Sequence, residues 1–223
     1  GPWRTSRTPY LREVMDTLSV SSPVQRVVMM FGAQIGKTEV GLNWLAYVID
    51  HAPSSVLVVL PTLDAKDKWV KQRLDPMLFE TPALLRIFGS KKRSRDAANS
   101  NVVKDFPGGI MMLTGANAPA GLASSPIRYV LCDEVDRFPW EVGAEGDPLG
   151  LIDERTKAFP RRKVLLVSTP TTKGLSRIEG EYEKSDQRQY HVPCPHCNEF
   201  QVLRWRHDDG TYGLVHSAAT GGT

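Results

Sequence analysis

Short runs that are apolar without alternation after one polar residue recur along this chain: "RVVMMF" at Arg26–Phe31, "SVLVVL" at Ser55–Leu60 and "KVLLV" at Lys163–Val167. A strand with one wet face alternates polar and apolar residues, so a strand without alternation must be covered on both sides. Ile110–Thr114 and Ile127–Leu131 read as further strands of the same kind. Helical spacing falls between them. It covers Thr38–Asp50 (Val40, Leu42, Trp44, Leu45, Val48, Ile49), Asp64–Phe79 (Trp69, Val70, Leu74, Leu78), Leu149–Ala158 and Gly174–Lys184, with a shorter helix at Tyr10–Leu18. Buried strands alternating with helices predict an α/β fold, a three-layer arrangement around a mostly parallel sheet. At 223 residues, 41% hydrophobic and 24% charged, the chain can bury one large core and carry a small appendage. Three segments are expected: a polar lead-in over 1–25, the main domain over 26–188, and a segment of changed composition over 189–223.

Several classes drop out. No apolar run reaches membrane-spanning length, and no charged start is followed by a secretory apolar stretch. Cys132, Cys194 and Cys197 make no disulfide framework and fit a reducing compartment. A net charge of +3 does not by itself argue for nucleic acid. The basic stretch with Lys91, Lys92, Arg93 and Arg95 is suited to phosphate contact, and equally to a solvated loop. "GANAPAGLASS", Gly115–Ser125, is a flexible small-residue loop before the strand at Ile127–Leu131 that could simply be a connection.

In parallel sheets, ligands bind beyond the carboxyl ends of the strands. After the first strand comes "FGAQIGKTE", with Gly36-Lys37-Thr38 opening a helix. Backbone N–H groups in such a turn, together with a helix N-terminus, cradle anions. Lys37 can reach the β- and γ-phosphates of a nucleotide, and the Thr38 hydroxyl can bind Mg²⁺. The usual spacing would put the first glycine at Phe31; it stands at Gly32. After the strand Tyr129–Cys132 come Asp133, placed to hold Mg²⁺, and Glu134, placed to orient or deprotonate the attacking water. A kinase has no need of that glutamate, and no Asn-Lys-x-Asp is present to read guanine, so ATP hydrolysis is expected. Ser168 and Thr169 end a third strand, where a hydroxyl pair could sense the γ-phosphate.

The series "RTPYLREVMD", "FGAQIGKTE", "GANAPAGLASSPIRYVLCDEVDRFP", "VSTPTTKG" and "YHVPCPHC" resembles the large terminase subunit of tailed phages, in its lambda-like branch, from about Trp3 to Trp205. The resemblance implies a P-loop NTPase of the additional-strand, RecA-like type, the ATPase of a motor that drives double-stranded DNA into a procapsid. It makes Gly32, Ala33, Gln34, Ile35, Gly36, Lys37, Thr38 and Glu39 a deviant Walker A loop, in which a glycine at Gly32 is normal. Tyr129–Glu134 becomes Walker B, with Glu134 and Lys37 catalytic and Thr38 and Asp133 holding Mg²⁺. Ser168 and Thr169 begin the coupling motif, and Arg7 and Tyr10 flank the adenine. The implied partners are double-stranded DNA, the portal, the small terminase subunit and further copies in a ring, in the host cytoplasm; the isolated domain is expected to be monomeric.

Three departures stand out. Ala33 and Gln34 occupy a region where many terminases carry an arginine, leaving Arg128, Arg137, Arg155, Arg161 and Arg162 as candidate donors. No acidic cluster for two-metal DNA cleavage follows the ATPase, so a nuclease is not expected here. Cys194 and Cys197 look like half of a zinc knuckle without its partner pair, so zinc is not expected, and the tail after Trp205 reads as a domain cut short. Two other readings remain open. Asp133-Glu134-Val135-Asp136 resembles a helicase D-E-x-D box, although a second lobe has no room. A non-hydrolysing assembly subunit is argued against by Glu134.

Overall fold

Strands that are apolar on both faces need a helical layer on each side, and the chain supplies both. The computed structural model describes residues 4–89, 100–122 and 125–204. Residues 1–185 form one compact unit and a second begins at Asp186. In the first, a six-stranded sheet runs in the order β1 (Arg26–Met30), β6 (Lys163–Ser168), β5 (Tyr129–Asp133), β2 (Ser55–Leu60), β4 (Gly109–Gly115) and β3 (Val103–Phe106). All neighbours pair in parallel except β3, which lies antiparallel to β4. One strand, β6, separates the strand feeding the Gly-Lys-Thr turn from the strand carrying Asp133. This is the additional-strand order.

The two faces divide the apolar residues residue by residue. Val56, Val58, Tyr129, Leu131, Leu165 and Val167 pack on one side, under α1 (Arg12–Thr17), α2 (Lys37–His51), α3 (Leu63–Trp69), α4 (Asp75–Glu80) and α5 (Pro82–Phe88). Leu57, Val59, Val130, Cys132, Val164 and Leu166 pack on the other, under α6 (Pro119–Leu122), α7 (Pro148–Thr156) and α8 (Arg177–Glu183). No helix among the described residues is long and apolar enough to cross a membrane.

The lead-in belongs to this unit: Leu11 and Leu18 are buried in its core. The buried Lys163, at the start of β6, donates to the carbonyls of Thr17, Ser22 and Val24 at 3.0, 2.9 and 2.5 Å. Burial lowers the pKa of this lysine, and the three carbonyls satisfy its ammonium. Arg26, at the start of β1, forks to Asp153 of α7 and Glu181 of α8, both at 2.7 Å.

Several boundaries differ from the sequence pattern. The expected helix Asp64–Phe79 is a continuous helical segment broken by a π turn at Val70–Leu74. β5 starts at Tyr129, two residues later than the apolar run, and takes Asp133 into the strand. The helix expected from Gly174 begins at Arg177, because Gly174 is left-handed (φ +77°) and Ser176 caps the helix, accepting from the Glu179 N–H at 3.2 Å. The edge strand β3 has no counterpart in the sequence pattern. Its inward positions are Lys104 and Phe106, and the lysine, paired with Asp75 at 3.0 Å, breaks the apolar signature.

α2 approaches β5 closely at Gly41, where a Cβ would stand 3.0 and 3.2 Å from the methyl carbons of Leu131. Gly41→Val is therefore expected to cost about 1–3 kcal/mol through overpacking. In thermal unfolding Tm should fall by roughly 2–4 °C per kcal/mol for a chain of this size; a Tm at or above that of the wild type would show that Leu131 can step aside.

Candidate active site

The carboxyl ends of β1, β6 and β5 lie side by side. Register sets Met30 level with Ser168 and Asp133 level with Val167. Beyond Met30 the Phe31 N–H donates to the Ser168 carbonyl at 3.1 Å, and the chain then turns into α2. Gly36, the residue before that helix, has φ +88°, a left-handed conformation that glycine adopts without steric cost. Gln34 is also left-handed at φ +60°. Gly32, Ala33, Gln34 and Ile35 are exposed, and the first turn of α2 opens toward them with N–H groups that have no intrahelical partner. Lys37 Nζ crosses the loop to the Gly32 carbonyl at 3.3 Å. Glu39 is half-buried, its Oε1 4.0 Å from Arg73 Nη1.

Thr38 Oγ1 donates to Asp133 Oδ2 at 3.2 Å, across 95 residues of sequence. Asp133 is 3% exposed. Burial and the neighbouring Glu134 charge push its carboxyl above the ordinary range, while the Thr38 hydroxyl, the Glu134 N–H and Lys37 pull it back in part. Both oxygens of this pair are hard donors of the kind Mg²⁺ takes.

Glu134 sits at φ +58°, ψ +46°, a left-handed backbone at a residue with a long side chain. Strain of this kind persists where the surroundings over-determine the chain, and it concentrates at functional sites. The Glu134 N–H donates to Asp133 Oδ1 at 3.0 Å, and Arg137 Nη1 pairs with Glu134 Oε2 at 3.2 Å. The Ser168 hydroxyl donates to the Thr169 carbonyl at 3.2 Å and accepts from the Asp136 N–H at 3.1 Å.

The adenine-side candidate Tyr10 reaches the same loop. Its hydroxyl donates to the Ile35 carbonyl at 3.0 Å, and its ring lies 6.4 Å from that of Phe31, centroid to centroid. Arg7 is exposed, in the short turn Thr5–Arg7 just before it. Of the candidate arginines, Arg137 alone stands at this end of the sheet. Arg128 immediately precedes β5, Arg161 and Arg162 immediately precede β6, and the Arg155 carbonyl accepts from the Ile127 N–H at 3.0 Å, all at the opposite, amino end of these strands. Lys91, Lys92, Arg93 and Arg95 lie outside the described residues.

In the second unit, β7 (His191–Pro193) and β8 (Phe200–Val202) form a hairpin. Cys194 and Cys197 sit at its turn, and N–H groups of Cys197 and His196 lower the Cys194 pKa. Among the described residues no group of three or more His, Cys, Asp or Glu side chains is placed to hold a metal.

The sequence reading missed the part played by Asp136. Its Oδ2 accepts from both the N–H and the hydroxyl of Thr171 at 2.8 Å, and its Oδ1 accepts from the Ile178 N–H at 2.7 Å. Burial pushes this carboxyl up, but the Ile178 N–H with the Ser176 and Thr171 groups outweighs it and holds the pKa below the usual range. The D-E-x-D spacing points at this residue without saying what it does.

A family model described as the ATPase domain of the phage terminase large subunit gpA matches residues 1–218. This chain belongs to that family. It is 30% identical over 219 residues to a terminase large subunit of Enterobacteria phage P21, and 28% identical over 219 residues to that of Escherichia phage lambda. Each comparison covers 96% of this chain and 33% of the relative, so the chain spans about a third of the length of the curated relatives it matches. Among solved structures, a point-mutant form of the large terminase ATPase domain of Thermus phage P74-26 superposes with a TM-score of 0.54 at 17% identity, covering 95% of this chain and 80% of that one. The form of that domain without the substitution gives 0.50 at 14% identity, over 85% and 75%. These likenesses carry the fold, and the family carries the class: a terminase ATPase domain, which binds nucleotide.

The left-handed backbone at Glu134 gives a direct test. Glu134→Gly should be more stable than Glu134→Ala by about 1 kcal/mol, because only glycine enters that region without a Cβ clash. Urea unfolding of the two variants measures the gap; equal midpoints at equal slope would show that residue 134 is not held there.

Proposed function

We propose that this terminase domain hydrolyses ATP at the ends of β1, β6 and β5, and that the larger subunit to which such domains belong uses the hydrolysis to move double-stranded DNA into a procapsid. The observation that carries the reading is the 3.2 Å contact between Thr38 and Asp133, which closes the phosphate-loop side of the site onto its carboxylate side.

The residues divide the chemistry. The N–H groups of Gly32–Thr38 take the phosphate oxygens, and Lys37 leaves the Gly32 carbonyl to neutralise charge between the β- and γ-phosphates. Thr38 and Asp133 would hold Mg²⁺, which supplies positive charge to the phosphates when bound. The fit rests on the donor set and on a buried carboxylate crowded by a second one. Glu134 accepts the proton of the attacking water, while Arg137 on its Oε2 keeps the carboxylate turned. General-base assistance of this kind is worth about 10²–10⁴ in rate. Tyr10 and Arg7 form the base side; an aromatic ring and a guanidinium both suit a purine face. Thr169 reports the γ-phosphate, with Ser168 behind it donating to the Thr169 carbonyl. DNA, the portal and neighbouring copies are the partners of this reading, and contact with the DNA backbone suits a motor indifferent to sequence.

Steady-state ATP hydrolysis with and without double-stranded DNA tests it. Glu134→Ala should lower turnover by about 10²–10⁴ while nucleotide binding stays near wild type. Turnover that survives the substitution would remove Glu134 from the mechanism.

A further inference from the structure

We propose that Asp136 is a positioning residue that joins the turn carrying Glu134 to the segment running from Ser168 into α8, so that loss of the γ-phosphate is transmitted to α8. The proposal rests on the reading of the site as an ATPase.

The geometry is a closed set of hydrogen bonds. The Asp136 main chain donates to the Ser168 hydroxyl at 3.1 Å, at the tip of β6. Its carboxylate takes Thr171, three residues past Ser168, through two bonds of 2.8 Å. The same carboxylate takes the Ile178 N–H, in the first turn of α8, at 2.7 Å. One side chain therefore holds the beginning and the end of the connection that follows the candidate sensor. A carboxylate at a helix N-terminus is also the favourable partner for the exposed N–H groups there.

Neighbouring contacts make the link stiff. Arg177, buried beside Ile178, donates to the Pro139 carbonyl at 2.9 Å, pairs with Asp147, and lies 4.4 Å from the Trp140 ring. The first turn of α8 is thus fastened to the Walker B side at two consecutive residues. Within the connection, the Gly174 N–H donates to Glu179 of α8 at 2.6 Å. At the far end of α8, Glu181 pairs with Arg26 of β1. The Ser168 hydroxyl is spent on this relay, donating to Thr169 and accepting from Asp136, so it links Thr169 directly to Asp136. One residue, Val135, separates Glu134 from Asp136, and Glu134 is the strained position. A strained turn with a rigid partner has few arrangements available, which is what a two-state relay requires.

The experiment uses the whole chain and compares wild type, Asp136→Ala, Asp136→Asn and Thr171→Val. Three quantities are read: the Kd for Mg·ATP, kcat, and hydrogen exchange at the 171–178 amides with Mg·ADP against a non-hydrolysable Mg·ATP analogue. The expected result for Asp136→Ala is a Kd within about threefold of wild type, a kcat lowered about 10- to 100-fold, and loss of the exchange difference between the two nucleotides. Asp136→Asn keeps one acceptor oxygen and should fall between Asp136→Ala and wild type. Thr171→Val removes only a hydroxyl and should narrow the exchange difference; it decides the matter if Asp136→Ala does not fold. An exchange difference that persists at wild-type size in the variants would overturn the relay, as would a loss of kcat and affinity in equal proportion. Failure of the wild type to bind Mg·ATP would instead overturn the ATPase reading beneath it, and Glu134→Ala, which should bind without turning over, separates that case from a failed relay.

Discussion

A carboxylate buried at the tip of a parallel strand is costly unless something answers its charge, and the site is arranged around that cost at Asp133. Its partners inside the chain are a hydroxyl from Thr38, an N–H from Glu134 and the more distant Lys37. None of them is a full charge in direct contact. The fold still holds the carboxylate there, because β5 pairs with β2 on one side and with β6 on the other and Asp133 is the last residue in register. The sheet thus keeps this carboxylate where burial and the Glu134 charge raise its pKa, and on the proposed reading a divalent cation delivered with nucleotide phosphates would relieve it. On that reading, affinity for ATP and the cost of burying Asp133 are two sides of one arrangement.

Strain follows from the same placement. If β5 ends with Asp133 buried, the next residue must leave the sheet at once, and Glu134 does so through a left-handed turn that glycine would enter more cheaply. Keeping a glutamate there costs stability and leaves its carboxylate on Arg137 at the carboxyl end of β5. Three contacts compensate: the Glu134 N–H on Asp133, Arg137 on the Glu134 carboxylate, and Asp136 anchored in the next connection. The loop is held by polar contacts to groups that nucleotide chemistry can perturb, rather than by core packing alone. On the proposed reading, that is what would let the turn both position a base and register a change in it.

What the sequence revealed follows the physics of each signal. Fully apolar strands and the residues directly after them were legible, because burial on both faces and a strand-to-helix turn leave a mark within a short run of consecutive residues. Gly36, Lys37, Thr38, Asp133 and Ser168 all stand in such places, and the structure brings them to one edge of the sheet. The edge strand β3 was hidden by Lys104, an inward lysine whose ion pair with Asp75 cannot be seen locally. Lys163 holding three carbonyls of the lead-in was hidden for the same reason, its partners standing about 140 residues away. Asp136 was visible as a letter in a motif and silent as to role, since its function lies in two segments that meet it only in the folded chain.

The electrostatic balance of the site sets a further constraint. Hydrolysis of a nucleotide spreads negative charge over the γ-phosphoryl oxygens in the transition state, and preorganised cations there supply much of the rate. Within this chain the phosphate loop offers Lys37, with Ala33 and Gln34 where an added arginine would sit. Arg137 is at the right end of the sheet but is already committed to Glu134, the group it must leave available for water. Arg128, Arg155, Arg161 and Arg162 stand at the opposite end, the length of a buried strand away, and cannot turn back to their own phosphates. On the proposed mechanism none of these four arginines reaches the phosphates of its own copy, and a cation from a neighbouring copy would add to Lys37. On that reading turnover would depend on assembly, because these arginines stand at the opposite end of the strands from the proposed phosphate site.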